Sequence, residues 1–537
     1  MAHKRLAVFL LVSLALLALI AVIPASAQSS GGTFNWSIEG VPDLPSLDPA
    51  KASDAQDFTV IGLIYGGLVR FDGDLNIIPD LADSWTVSDD ALSYTFKLRD
   101  DAKFSDGTPI TSADVIWSLE HALDPNSGGW TGSYYLYNIQ GAQDIIDGKV
   151  TTLTGATALD DKTVVLALVQ PSAYFLDQLT FGSAKIIDKA AALADPTGWD
   201  QKPVSSGAFM VQQWNHGQNL ILVPNPNFPQ VPQISTLTMP FIQDSETAYQ
   251  LYRTGQLDIM GSQQNGVPAG HLADVQSMPD FKQAPSFATR YVGFDTVIPP
   301  FDNVHVRRAF ALAIDKDTLA NQVLAGAVAP TDRILPPGIP SSELPVTGLH
   351  FDAAAAKDEL SQAGVTADSL GSIKLTYGTE GDNERVVTVL QSMWLENLGV
   401  KVELDPLELT TFSAGLNAMT ENPQTGYQMY FSIWGADYPD PQNFTQLLHS
   451  DVAFNNGHYS NKQYDALLDQ ADVMTGDLEG RMKLYNQAEQ IAVDEVGWLP
   501  LFNPKLNVLV APYVEGIVFT GQGLVIPDFS KLTGKTS

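Results

Sequence analysis

"IKLTYGTEGDNERVVTVLQSMWLENLGVKVEL", residues 373 to 404, changes character twice. Residues 373 to 379 carry the alternating, β-branched and aromatic pattern of a strand. From Asn383 to Gly399 the composition is helical, and the glycine is a natural left-handed stop. "VKVEL" (400 to 404) is a strand again. Strand, helix and strand joined by short Gly-containing connections make a βαβ unit with local parallel pairing. The fold class is therefore α/β, and a ligand crevice is expected outside the carboxyl ends of such strands.

The same signals extend outward. "YTFKL" (94 to 98), "TVVLALV" (163 to 169) and "NLILVPN" (219 to 225) have strand character. Thr111 with Asp114 three residues on opens a helix that ends at Pro125, and Asp352 opens another that ends at Gly364. No repeat of about 20 to 50 residues is visible, which argues against solenoids and arrays.

Residues 1 to 27 form a signal peptide in outline: basic Lys4 and Arg5, an apolar run from Leu6 to Ile23, then Pro24 and Ala25-Ser26-Ala27. Cleavage after Ala27 is expected, with retention as an anchor the alternative, and a periplasmic or cell-surface location follows. Without this segment 27 basic side chains face 61 acidic ones. A surface so acidic repels nucleic acid and anionic lipid and stays soluble. The chain has 0 cysteines, which excludes disulfides, thiol catalysis and thiolate metal sites. It also excludes a lipid anchored through cysteine.

The common catalytic signatures, G-x-S-x-G, H-E-x-x-H and the kinase set, are missing. His449 and His458, the closest pair in sequence, have no third ligand at a metal spacing, so no metal and no cofactor are expected. Paired carboxylates are too easily found in an acidic chain to carry an argument.

"WGADYPDPQNF" (434 to 444) follows the strand-like "YQMYFSIW" (427 to 434). Pro439 and Pro441 hold Tyr438 and Asp440 extended and cannot donate a backbone hydrogen bond, so the segment is a stiff irregular connection. Asp437 at the end of a strand, flanked by Trp434 and Tyr438, suits a ligand cation within an aromatic wall. The competing reading makes Asp437 or Asp440 the cap of a helix at "NFTQLL" and puts the aromatics in the core.

Several blocks, in order along the chain, resemble the family 5 extracellular solute-binding proteins, the receptors of peptide and nickel ABC importers. They are "GGLVRFDGDLNIIPDLADSWTVSDDALSYTFKLRDDAKFSDGTPITSADVIWSLEHALDP" (66 to 125), "VSSGAFMVQQWNHGQNLILVPNPNF" (204 to 228), "FDNVHVRRAFALAIDKDTLANQVLAG" (301 to 326), "WGADYPDP" (434 to 441) and "DEVGWLPLF" (494 to 502). The resemblance implies a two-lobed periplasmic-binding-protein-like fold, type II and cluster C-like. Lobe I would span residues 28 to 290, with an extra subdomain at about 76 to 190, and residues 507 to 537 would return to it. Lobe II would span 291 to 506, with hinges near 289 to 294 and 503 to 510. In peptide-binding members the aspartate of the W-x-A-D-Y block pairs with the ligand's α-amino group and the tryptophan lines the pocket; here these are Asp437 and Trp434. Basic residues for a terminal carboxylate have no clear counterpart; Arg385 and Arg290 are the candidates, and Tyr65, Trp130 and Tyr134 are candidate walls.

The expected function is that of a monomeric receptor, not an enzyme, which encloses a peptide or similar small solute and hands it to an ABC permease. The alternatives are the same role for an oligosaccharide or a nickel complex and, in another class, a secreted hydrolase using two cleft carboxylates.

Overall fold

The computed structural model describes residues 31–52, 54–262, 266–421, 426–452 and 454–535. The expected signal peptide lies outside the described residues. No helix among the described residues is long and apolar enough to cross a membrane.

The local signals hold where they were strongest. Thr111 and Asp114 form a reciprocal capping box at the start of Ser112–Leu123. Asp352 accepts the N–H groups of Ala354 and Ala355, both at 2.9 Å, at the start of Ala353–Gln362. Gly399 closes helix Asn383–Leu398 in the left-handed conformation, φ 75°. The strands beside that helix, Ile373–Gly378 and Val402–Leu407, pair in parallel, as the βαβ reading requires. The second runs later than expected and includes Pro406. It is an edge strand, where a missing N–H costs no ladder bond.

Three main sheets organise the chain. A five-stranded sheet joins Thr33–Asn35, Thr236–Ile242, Asn219–Pro224 and Phe209–Asn215, with Ile38–Glu39 on Thr236–Ile242. A four-stranded antiparallel sheet, Ala82–Val87, Ser93–Leu98, Thr163–Ala167 and Ala156–Asp160, has its own apolar core between Leu68 and Ile186. The eight-stranded mixed sheet orders Ile259–Met260, Trp498–Val510, Ala288–Phe294, Met429–Gly435, Ile373–Gly378 and Val402–Leu407, and Phe281–Pro285 and Val328–Pro330 also pair with Trp498–Val510.

Strand alternation gives the large sheet two apolar faces. Val292, Phe294, Met429 and Phe431 enter one core with Trp394; Tyr291, Tyr430 and Trp498 enter the other. The core of the five-stranded sheet takes in Leu506, Val508, Ile526, Phe529 and Leu532 from the end of the chain. Trp498–Val510 thus serves both halves: residues 498 to 502 pair with Ala288–Phe294, and residues 505 to 509 pair with Phe281–Pro285. A register shift at Arg290/Tyr291 marks the crossing.

Gly293 lies just beyond it. A Cβ there would come within 2.1 Å of the Tyr430 ring, which is 1 % exposed and has Tyr291 edge-on at 6.3 Å. Gly293→Ala is expected to cost about 1–3 kcal/mol by overpacking, read as a lower denaturation midpoint. An unchanged midpoint would show that the ring has room to move.

Candidate functional site

The segment after Met429–Gly435 leaves the carboxyl end of a central strand, whose neighbour Ile373–Gly378 is parallel to it. Such strand ends are where an α/β fold places ligands. Ala436 is tied to the Phe287 carbonyl at 2.7 Å, and the chain then turns through the two prolines into the short helix Gln442–Thr445.

Asn443, fully buried, fixes the turn. Its Oδ1 accepts the Trp434 indole N–H at 3.1 Å and the Asp437 backbone N–H at 3.0 Å, and its Nδ2 donates to Asp437 Oδ2 at 3.3 Å. Gln522, from the end of the chain, donates to the Asp437 carbonyl at 2.9 Å. The second donor to the Asp437 carboxylate is the hydroxyl of Tyr135, which comes from the other half of the molecule. Both side-chain donors are neutral. Burial pushes the Asp437 carboxyl up to about 6, partly offset by Tyr135 and Asn443, and no cation contributes. The Asp437 carboxylate is therefore desolvated, held by neutral donors, and placed at a seam between two bodies.

Asp440 has a different role. Its Oδ1 accepts the Gln442 N–H at 3.0 Å, capping the short helix, and both its oxygens receive the Arg481 guanidinium at 2.7 Å. This is a buried two-pronged pair, fully committed to the scaffold.

The other candidates fall into three groups. Tyr134, next to Tyr135 on Thr131–Tyr135, packs edge-on to Tyr135 at 4.8 Å and to Phe454 at 4.7 Å. Its buried hydroxyl has no hydrogen-bond partner among the described residues, and desolvation with the nearby Asp437 charge holds its phenol well above 10. Trp130 lies one ring further out, 5.1 Å from Phe454 and 37 % exposed. Trp434 is half-buried at the strand end, and Tyr438 is fully buried.

Arg290 sits on Ala288–Phe294 opposite Ile433, one residue along from the Thr289–Trp434 pair. Its guanidinium lies over Phe431 at 5.3 Å; burial lowers its pKa and Glu380 partly restores it.

Arg385 and Tyr65 stand apart from Asp437. Arg385 is exposed and 3.9 Å from Asp382, an ordinary surface pair. Tyr65, expected as a wall, is a core residue: it is 1 % exposed, and its hydroxyl donates to the Leu47 carbonyl at 3.1 Å. The chain turns to extended geometry at Tyr65 after helix Ala55–Ile64, and the ring points into the core of the five-stranded sheet. Sequence reasoning missed Tyr135, Asn443 and Phe454. Among the described residues no group of three His, Cys, Asp or Glu is placed to hold a metal ion.

Comparison with known proteins bears on family and fold. The family model "Bacterial extracellular solute-binding proteins, family 5 Middle" matches residues 76–456. The periplasmic oligopeptide-binding protein OppA of Salmonella typhimurium is 30 % identical over 495 residues, covering 89 % of this chain and 88 % of that protein. The structure of Haemophilus influenzae OppA in complex with RPPGFSPFR superposes with a TM-score of 0.78 at 26 % identity, covering 93 % of this chain and 97 % of that one. The unliganded open form of the periplasmic murein tripeptide binding protein MppA gives 0.73 at 26 % identity, covering 93 % and 96 %. The chain is two-lobed, with its strand-end carboxylate at the seam, and it belongs to the bacterial extracellular solute-binding proteins of family 5.

Proposed function

We propose that this receptor captures peptides bearing a free α-amino group between its lobes and delivers them to an ABC permease. The observation that carries the proposal is the uncompensated Asp437 carboxylate, reached from both lobes. A ligand ammonium supplies the missing charge, and the desolvated surroundings strengthen the pair. The unpartnered Tyr134 hydroxyl offers a further polar contact, and Trp434 and Trp130 supply apolar wall. Arg290, which is bonded to no carboxylate among the described residues, is the candidate for the peptide's other end.

We place lobe I at residues 28–290 with its subdomain at about 76–190, lobe II at 291–506, and the return to lobe I at 507–537; the separation of the apolar cores supports this division. Ligand shifts the population toward the closed form by touching both lobes at once. Nothing in this cycle makes or breaks a covalent bond.

The test is a calorimetric titration of trialanine and N-acetyl-trialanine across pH. The Asp437 carboxyl is raised to about 6, so it is ionised above that value and neutral below it. The peptide ammonium stays charged throughout, with a pKa of about 8. Affinity for trialanine is expected to hold near pH 7.5 and to fall below pH 6, approaching about tenfold per unit. N-acetyl-trialanine should show no such fall. Parallel profiles for the two peptides would remove Asp437 from ammonium binding, and recovery of cleaved peptide would favour the hydrolase reading.

A further inference from the structure

Tyr438 belongs to the conspicuous aromatic-acidic segment, yet its ring does not face outward from it. It is fully buried, and what buries it comes from the other lobe. Tyr174 lies parallel to it, with centroids 6.2 Å apart and 9° between planes. Tyr135 meets it edge-on at 6.1 Å and 78°. The three rings form a separate apolar cluster, with Phe71, Tyr134 and Phe181 packed around them. On its own side Tyr438 is held by donation from its hydroxyl to Gln442 Oε1, and Gln442 Nε2 donates in turn to Gln446 at 2.9 Å. Lobe II therefore presents a braced ring, and lobe I presents the slot that receives it.

The slot is docked a second time around its rim. The Ala173 N–H donates to the Asp472 carbonyl at 3.3 Å, and the Tyr174 hydroxyl donates to Asp472 Oδ2 at 3.4 Å. Arg481 lies over the Tyr174 ring at 5.8 Å while gripping Asp440. The contacts of Ala173 and Tyr174 with Asp472, and of Tyr174 with Arg481, join the lobes directly.

We infer that Tyr438 is a lobe latch: its ring, seated between Tyr135 and Tyr174, sets how firmly the two bodies close and so scales affinity for every ligand by the same factor. It is a positioning residue. It acts through closure, while Asp437 beside it discriminates between ligands. The inference rests on the receptor reading, because closure matters to affinity only in a protein that encloses its ligand.

The experiment uses the full chain with three variants, Tyr438→Ala, Tyr174→Ala and Tyr438→Phe. Small-angle scattering reads the radius of gyration without peptide, and calorimetry reads binding of trialanine and N-acetyl-trialanine. Tyr438→Ala should enlarge the radius of gyration and weaken both peptides equally, by about tenfold for the loss of two ring contacts. Tyr174→Ala, which leaves the aspartate segment intact, should do the same from the opposite lobe. Tyr438→Phe keeps the ring and should behave as the unaltered protein.

A changed ratio between the two peptides in Tyr438→Ala would make this ring a ligand contact and overturn the latch. So would an unchanged radius of gyration in both alanine variants. If the unaltered protein binds neither peptide, the peptide reading fails while the scattering comparison still decides the latch.

Discussion

Asp437→Asn is expected to weaken binding of a free-amino peptide at least tenfold, about 1.4 kcal/mol, and to leave an N-acetylated peptide nearly unaffected. Asparagine has the same outline as aspartate. It still accepts from the Tyr135 hydroxyl and still meets Asn443, so the turn from Trp434 to Gln442 is preserved. Only the negative charge goes. In a partly dry seam that charge is the main attraction for an ammonium group, and a neutral amide returns little of it. Calorimetry with the two peptides separates charge from shape. Equal losses for both would mean that Asp437 serves the scaffold alone.

A second large effect is expected in stability. Arg481 and Asp440 have side chains 4 % and 11 % exposed and share two hydrogen bonds of 2.7 Å. Arg481→Met keeps most of the arginine's bulk but leaves Asp440 with an unpaired charge in the interior. Breaking one side of such a pair costs about 3–5 kcal/mol. Arg481 also donates to the Tyr485 hydroxyl at 3.0 Å, so the loss extends into the helix Leu478–Asp494. The measurement is the midpoint of urea unfolding. The double variant Asp440→Asn/Arg481→Met should recover part of the loss, because it removes the stranded charge as well as its partner. If the single and double variants unfold together, the pair is not what holds this corner.

Much of the fold was written in short-range signals. The capping box at Thr111 and Asp114, the cap at Asp352 and the stop at Gly399 each act within a few residues, so they can be read without knowing what lies across the molecule. The irregular turn that carries Asp437 was legible for the same reason: two prolines and a preceding strand fix it locally, while the part proposed for its carboxylate came from the family resemblance. Tyr135 was not. It stands beside Tyr134 on one helical turn, where consecutive residues point about 100° apart, and nothing in the sequence says which of the two looks toward Asp437. The contact joins residues 302 positions apart, and only tertiary structure supplies it. Tyr65 shows the converse. A tyrosine suits a cleft wall and a core equally well in composition, and the core claimed it because the Leu47 carbonyl satisfies its hydroxyl. Asp440 needed Arg481, 41 residues later, before its part could be told from that of Asp437.

The two crossings between the halves are neighbours. Ala288–Phe294 carries the chain out, Trp498–Val510 brings it back, and Ser286 donates to the Pro504 carbonyl at 3.2 Å where they meet. Everything from the first crossing to the second is thus one uninterrupted stretch with its ends side by side. An exchange of this stretch between relatives joins at two adjacent points, and the new half fits the partner body only where the Asp437–Tyr135 and Tyr438–Tyr174 contacts are carried along.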